Sequence, residues 1–216
     1  MPKLIHATLV RDEEHCIENM LKSVLPHVEE SYVMIDDRTS DRTEEILKDY
    51  GCNIMWAKFE NFAKFGNTLK KWISNKSDWY IGIAADETIN PDFGELLHKI
   101  IKKIHDTNVD VVGFPRRHWS DLEMKIEYTK QNWYPDWQYR LVRNDYPRLH
   151  LKNYVHEWLV GDRRRLQVKG KDINHFNMYW KPRINYNFDK MNTLYNELKA
   201  KQHEDGGVDI WPNKED

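Results

Sequence analysis

The sequence predicts an α/β fold with a mainly parallel central sheet flanked by helices, followed by a C-terminal aromatic-rich part that walls a cleft. Three observations carry that reading. Short apolar runs alternate with amphipathic stretches from Leu4 to about residue 115, the pattern that builds βαβ units. The stretches between the runs are long enough to cross back over a sheet, which makes successive strands parallel. From His118 onward the alternation gives way to long polar and aromatic stretches, with tryptophans at 119, 133, 137, 158 and 180.

Leu4 to Val10 is an apolar run of strand type, and "DEEHCIENMLKSVLPHV" after it sets Ile17, Met20, Leu21, Val24 and Leu25 at helical spacing. "SYVMIDD" and "NIMWAKF" are two further strands. Between them, Asp41 with Glu44 three residues on fits a capping box, Ile46, Leu47 and Tyr50 form one helical face, and Gly51 supplies a stop. Phe62 to Ile73 reads as a helix and Trp79 to Ala84 as a fourth strand. Phe93 to His105 reads as a helix burying Phe93, Leu96, Leu97, Ile100, Ile101 and Ile104, and "VDVVGFPRR" as a fifth strand. The closing "KQHEDGGVDIWPNKED" is polar and reads as a mobile tail over about 201–216, or as the cut end of a longer protein.

The composition narrows the function classes. With 40% hydrophobic and 31% charged residues the chain is too aromatic for disorder and too polar for a membrane protein. A formal net charge of -2 offers no overall basic field for nucleic acid or an anionic membrane, so an anionic ligand must be held by local groups. Cys16 and Cys52 are too few for a disulfide scaffold and lack metal-type spacing, which points to a reducing compartment. The N-terminal apolar run stops at Arg11, without a signal-peptide pattern or an intrinsic membrane segment, so a cytoplasmic location is expected. No internal repeat is present, and one domain is expected over 1–216.

The strand ends suggest chemistry. Ligands of open parallel sheets bind beyond the carboxyl ends of the strands, and Val10-Arg11-Asp12, Asp36-Asp37 and Asp86-Glu87 all follow strands. Three acidic strand ends on one rim repel each other unless a cation or ligand sits among them. A hard divalent cation, Mn²⁺ or Mg²⁺, suits oxygen ligands and keeps open positions for phosphate oxygens. The turn after the first strand, "VRDEEHC", has no glycine, and no GxxxxGK[ST] loop occurs. Dinucleotide-linked hydride transfer and P-loop phosphoryl transfer are therefore disfavoured.

Five stretches in order, "ATLVRDEEHCIENMLKSVLPHV", "YVMIDDRTSDRTEEI", "WYIGIAADETINP", "YPDWQYRLVRN" and "NYVHEWLVG", give the chain a resemblance to the family 2 glycosyltransferases of GT-A fold. It is especially similar to short lipopolysaccharide-type bacterial enzymes and to domains of large algal DNA viruses, over about residues 3 to 160. The resemblance implies a nucleotide-binding half at about 1–115 and an acceptor-side half at about 116–200. It assigns nucleotide base contacts to Thr8, Val10 and Arg11, and base and ribose contacts to Asp36 and Asp37, with Asp37 taking a uracil-type hydrogen bond. "AAD" stands at the family's DxD motif, so Asp86 would hold the metal and through it the diphosphate, while Ala84 replaces the first Asp and Ala85 lies against the donor. Asp136 matches the segment of the general base of inverting members, Trp133 and Trp137 beside it could stack on sugar rings, and His156 of "VHE" could reach a phosphate or the metal. His175 is a weaker candidate of the same kind.

Each assignment has a plainer structural alternative. Asp36 and Asp37 could cap the following helix with Thr39 and Ser40, Asp136 could pair with Arg140 or Arg143, and Glu87 could support the metal ligand from behind without touching the metal, or simply be solvated. The two tryptophans could be core, His156 could be structural, and Arg116-Arg117 and Arg163 to Arg165 could be solvated faces. Where many relatives carry Arg-Asn, this chain has Gly66-Asn67; Asn67 stays a donor-contact candidate, and Lys64 could stand in for the missing guanidinium without its bidentate geometry. The function expected is metal-dependent transfer of a sugar from a nucleotide diphosphate donor, UDP before GDP or dTDP, to a hydroxyl acceptor such as a glycan, with inversion. The rivals are a nucleotidyltransferase and a catalytically inactive sugar- or nucleotide-binding domain.

Overall fold

The computed structural model describes residues 1–89, 91–119, 135–155, 158–168, 176–179 and 188–205. Its first half is a run of βα units. β1 (Leu4–Val10) and β2 (Ser31–Asp36) are buried on both faces, as expected of near-continuous apolar strands in a covered parallel sheet. α1 (Ile17–Val24) buries Ile17, Met20, Leu21 and Val24, one stripe at helical spacing, and a single 3-10 turn over Leu25–His27 ends it at Pro26. α2 (Thr43–Asp49) is entered through Asp41, whose carboxylate accepts from the Thr43 amide at 2.9 Å and its hydroxyl. It stops at Gly51, whose φ of +69° favours glycine. β3 (Asn53–Ala57) is the exposed edge strand; α3 (Phe62–Ile73) follows, its first turn capped by Asn61 Oδ1 accepting from the Lys64 amide at 2.8 Å.

β4 (Trp79–Ile81) completes a parallel set in the order β3-β2-β1-β4, with Leu4 opposite Trp79 and Val10 opposite Ile35. The side chains of β1 and β2 alternate between two cores. Leu4, Val10, Val33 and Ile35 join α1 and α4 (Pro91–Ile104) on one face, with Trp79 and Phe93 at the centre. Ile5, Ala7, Tyr32 and Met34 pack against Phe65, Leu69 and Ile73 of α3 on the other. The sheet is the middle layer of three.

The second half extends the same sheet. β6 (Val111–Trp119) and β7 (Asp136–Arg143) form an antiparallel pair, and β7 also runs antiparallel to β4. β10 (Arg165–Gln167) and β11 (Phe176–Tyr179) lie parallel to β6, and β5 (Glu87–Ile89) returns antiparallel to β11. β8 (His150–Lys152) and β9 (Trp158–Val160) form a separate antiparallel pair, and α5 (Phe188–Glu204) closes the described chain.

Two expectations need correction. The fourth strand ends at Ile81 and not Ala84, because Gly82 donates to the Arg140 carbonyl at 2.8 Å and the chain then turns, Glu87 donating to the Ala84 carbonyl at 2.9 Å. The polar segment beginning at Lys201 is not tail from its first residue. α5 runs to Glu204 and buries Gln202, whose side-chain oxygen accepts from the Tyr154 amide at 2.6 Å. Smaller shifts also occur: the helix read as Phe93 to His105 spans Pro91–Ile104, and the strand read from Val109 begins at Val111.

Candidate active site

The site is built at the carboxyl ends of β1, β2 and β4, where the parallel register sets Val10 beside Ile35 and His6 beside Ile81. The loop after β1 and the loop after β2 are tied together. Asp12, at φ 51°, accepts from the Ser40 amide at 2.8 Å, Asp41 accepts from the Glu14 amide at 2.9 Å, and Thr43 Oγ1 accepts from the Glu13 amide at 2.8 Å. Arg11 is near enough to Asp36 to help hold its carboxyl down, and Glu13 near enough to Asp86 to push that one up. The ends of β1 and β2 expected to share a rim are tied together, and Glu13 links them to Asp86; Glu87, expected with them, is instead buried away from the rim.

Within that rim the candidates have different surroundings. Thr8 and Val10 are buried in β1 and Arg11 is half-buried. Asp36 is 2% exposed, and the Arg38 guanidinium donates to it through Nε at 2.8 Å and Nη2 at 2.5 Å. Burial would raise the Asp36 carboxyl, but the Arg38 side chain and amide bring it below its ordinary value. Arg38 also lies over the Phe59 ring, 4.6 Å from its centroid, while Asp37 stands exposed beside it. The partner of Asp36 is thus an arginine; Thr39 and Ser40 do not bond to its side chain.

Lys64 pairs with Glu60 at 2.7 Å on the exposed face of α3, so the cation proposed to replace a missing guanidinium already has an acid partner. Asn67 gives both ends of its amide to Leu151, accepting from its N–H at 2.7 Å and donating to its carbonyl at 2.8 Å, which pins β8 to α3. A Cβ on Gly66 would stand 2.4 Å from Leu151 Cδ1, the end of a flexible side chain, so a larger residue there would have to displace Leu151.

Ala85 is buried and Asp86 half-buried in the turn before β5. Burial, then the neighbouring Glu87 and Glu13, push the Asp86 carboxyl up to about 6. A carboxyl crowded by negative charge is a group that a hard cation would suit, and Asp86 supplies one such oxygen ligand. Glu87 does not supply one. It is fully buried, its Oε1 accepts from Arg116 at 2.8 Å and Arg140 at 2.5 Å, and its Oε2 accepts from the Ala84 amide at 2.9 Å. Ala84 offers no oxygen side chain, and among the described residues no group of three His, Cys, Asp or Glu could hold a metal ion. His156, the other metal candidate, lies outside the described residues, as do Glu157, Trp133 and His175.

Asp136 sits directly opposite Arg116 in the β6–β7 pair. Its Oδ2 accepts from Arg116 Nε at 2.8 Å and faces His118 Nε2 at 2.9 Å, and its Oδ1 accepts from Gln138 at 2.8 Å. Burial opposes ionisation, but hydrogen bonds from His118 and Gln138 and the Arg116 charge bring the carboxyl down to about 2. Its partners are not the expected Arg140 and Arg143: Arg140 belongs to Glu87, and Arg143 binds Asp110 at 3.2 Å and covers the Trp79 ring. Trp137 is half-buried on β7. Sequence reasoning missed the cluster of Glu87, Arg116, His118, Asp136, Gln138 and Arg140. Its signal was the period of two, which puts 116 and 118, and likewise 136, 138 and 140, on one sheet face.

The mixed sheet with helices on both faces and an acidic carboxyl-end rim is the GT-A glycosyltransferase architecture. The sequence model of Glycosyl transferase family 2 matches residues 8–166, and the chain belongs to that family. It is 23% identical over 132 residues to an uncharacterized glycosyltransferase of Mycoplasma pneumoniae, a match covering 58% of this chain and 42% of that protein. The match thus spans about two fifths of the relative's length. Among solved structures it is similar to glucosyl-3-phosphoglycerate synthase from Mycobacterium tuberculosis in complex with Mn²⁺, UDP and glucosyl-3-phosphoglycerate, at a TM-score of 0.58 and 12% identity, covering 96% of this chain and 81% of that one. It is also similar to residues 1–349 of TarS from S. aureus, at a TM-score of 0.56 and 13% identity, covering 97% and 67%. Among the described residues no helix is long and apolar enough to cross a membrane.

Proposed function

We propose that the chain transfers a sugar from a nucleotide diphosphate donor, UDP-linked, to a hydroxyl acceptor such as a glycan, with inversion and with help from a divalent metal. The observation that carries this reading is the placing of Asp86: a half-buried carboxyl in the turn before β5, next to Glu87 and near Glu13, whose loop is tied to the loop after β2. The architecture favours a nucleotide there, and a solved structure of the same fold holds UDP and Mn²⁺.

Asp86, with His156 from the sequence pattern, would hold Mn²⁺ or Mg²⁺, which when bound neutralises charge on the diphosphate leaving group. Asp37, exposed beside the Arg38–Phe59 stack, would meet the nucleotide's base. Thr8 and Val10, being buried, can contribute only through their backbone. Lys64 and Asn67, already committed to Glu60 and Leu151, are weak donor contacts. Asp136 is the carboxylate that would face the acceptor. In transfer the acceptor oxygen bonds to the anomeric carbon as the bond to the diphosphate oxygen breaks, and the hydroxyl proton passes to Asp136. Held at about 2, Asp136 is a weak base but a strong hydrogen-bond acceptor that orients the hydroxyl.

The test is release of UDP from a set of UDP-sugars with a pooled acceptor set in the presence of Mn²⁺. Acceptor-dependent UDP release supports transfer. Release of pyrophosphate from a nucleoside triphosphate instead would favour a nucleotidyltransferase, and binding without turnover an inactive domain.

A further inference from the structure

Glu87 is 0% exposed, yet it is an acid that meets two guanidiniums from two different strands, Arg116 of β6 and Arg140 of β7. Its second oxygen takes the Ala84 amide, so the same side chain also fixes the turn that carries Asp86. Arg116 is divided. Its Nη1 donates to Glu87 at 2.8 Å, while its Nε and Nη2 reach Asp136 at 2.8 and 2.5 Å. Asp86 and Asp136 lie 50 residues apart in sequence, and Glu87 to Arg116 to Asp136 is a continuous chain of charged hydrogen bonds between their two segments. An acid sealed from water with every oxygen committed is unavailable to a ligand and is costly unless fully paired.

Resting on the transferase reading above, we propose that Glu87 is a positioning residue: by seating Arg116 and Arg140 it holds Asp136 in register with the Asp86 turn and keeps Arg116 from closing wholly onto Asp136. Removal of the Glu87 charge leaves Arg116 with Asp136 as its sole acid partner among these contacts. The clamp on Asp136 then tightens, and the carboxylate becomes both misplaced and less able to take a proton. A glutamine oxygen at this position can still accept from the Ala84 amide, so the Asp86 turn keeps its seat and donor binding through the β1 and β2 loops is expected to change little.

The experiment compares the unaltered chain with Glu87→Gln and Arg116→Lys. Lysine keeps the charge of Arg116 but cannot serve both acids at once. UDP affinity with Mn²⁺ is measured by calorimetry, kcat and acceptor KM by UDP release, and Arg side-chain Nε–Hε signals by NMR. Both variants are expected to keep donor affinity within about 3-fold and to lose kcat by ~10-fold or more, on the scale of a misplaced general base. The Arg116 signal is expected to move in Glu87→Gln. Unchanged kcat, or donor affinity falling in step with kcat, overturns the proposal. If Glu87→Gln does not fold, Arg116→Lys decides by the same criterion. The NMR arm stands apart from turnover: if the unaltered chain binds no nucleotide, the transferase reading falls, while an unmoved Arg116 signal overturns Glu87's hold on Arg116 and a moved one supports it.

Discussion

The His6 imidazole is enclosed in the core with its Nε2 3.0 Å from the Ile83 carbonyl oxygen, joining β1 to the segment that leads into the Asp86 turn. Its Nδ1 lies 2.8 Å from Ser31 Oγ. One neutral tautomer satisfies both contacts: Nε2–H donates to Ile83, and Nδ1 accepts from the Ser31 hydroxyl. Protonation would cost the second bond and bury a charge.

Stability should therefore depend on pH through this residue. Burial lowers the His6 pKa from 6.5 to about 4, so the unfolded chain binds the extra proton between those values. The contribution is fully present above pH 6.5 and falls as the pH drops toward 4, by about 2 kcal/mol between pH 7 and pH 5. Urea unfolding at the two pH values measures it. In His6→Asn that share of the pH dependence should vanish; an equal slope in both proteins would refute the assignment.

Asp110 is a second buried anchor. At 2% exposure it receives both Nη atoms of Arg148, at 2.9 and 2.8 Å, and the Arg163 amide at 2.9 Å. Asp110→Ala takes this acid from both Arg148 and Arg143, leaving Arg148 only Asp145 and the Gly161 carbonyl, and should cost about 3 kcal/mol. Chemical denaturation reads the loss, and a change below ~1 kcal/mol would mean that water replaces the pair.

Gly161 has a φ of +87°, and a Cβ there would stand 2.0 Å from the Arg148 carbonyl oxygen. Gly161→Ala should destabilise by at least about 2 kcal/mol, combining left-handed strain with a backbone clash. Gly66→Ala meets only the flexible end of Leu151 and should cost less. The order of their melting temperatures checks this.

Asp136→Asn keeps the shape of the side chain but removes the charge that Arg116 and His118 grip. It should spare UDP binding and lower transfer by ~10²-fold or more. Transfer at the unaltered rate would take Asp136 out of the mechanism.

Much of the fold was legible because its first half follows simple rules. β1 and α3 lie where apolar periodicity sets them, Leu4–Val10 and Phe62–Ile73. The meeting of the β1 and β2 loops followed from parallel connection alone. The end of β4 was not legible, because the backbone partners of residues 82 and 83 come from Arg140 and His6, distant in sequence. Nor was α5, whose face is mostly polar and whose anchor, Gln202, is a buried amide bonded to Tyr154. At the site, the position of Asp86 in a loop beyond β4 could be expected from the apolar run before it. The buried role of Glu87 could not, since it depends on arginines 29 and 53 residues away.

Calorimetric titration of the intact chain with UDP, with and without Mn²⁺ and repeated on Asp86→Ala, bears most directly on the central claim. Binding that requires or is strengthened by Mn²⁺ in the unaltered chain, and loses that dependence in Asp86→Ala while the variant stays folded, is the result expected. Equal UDP affinity with and without the metal, or an Asp86→Ala protein that keeps the full metal effect, would contradict it.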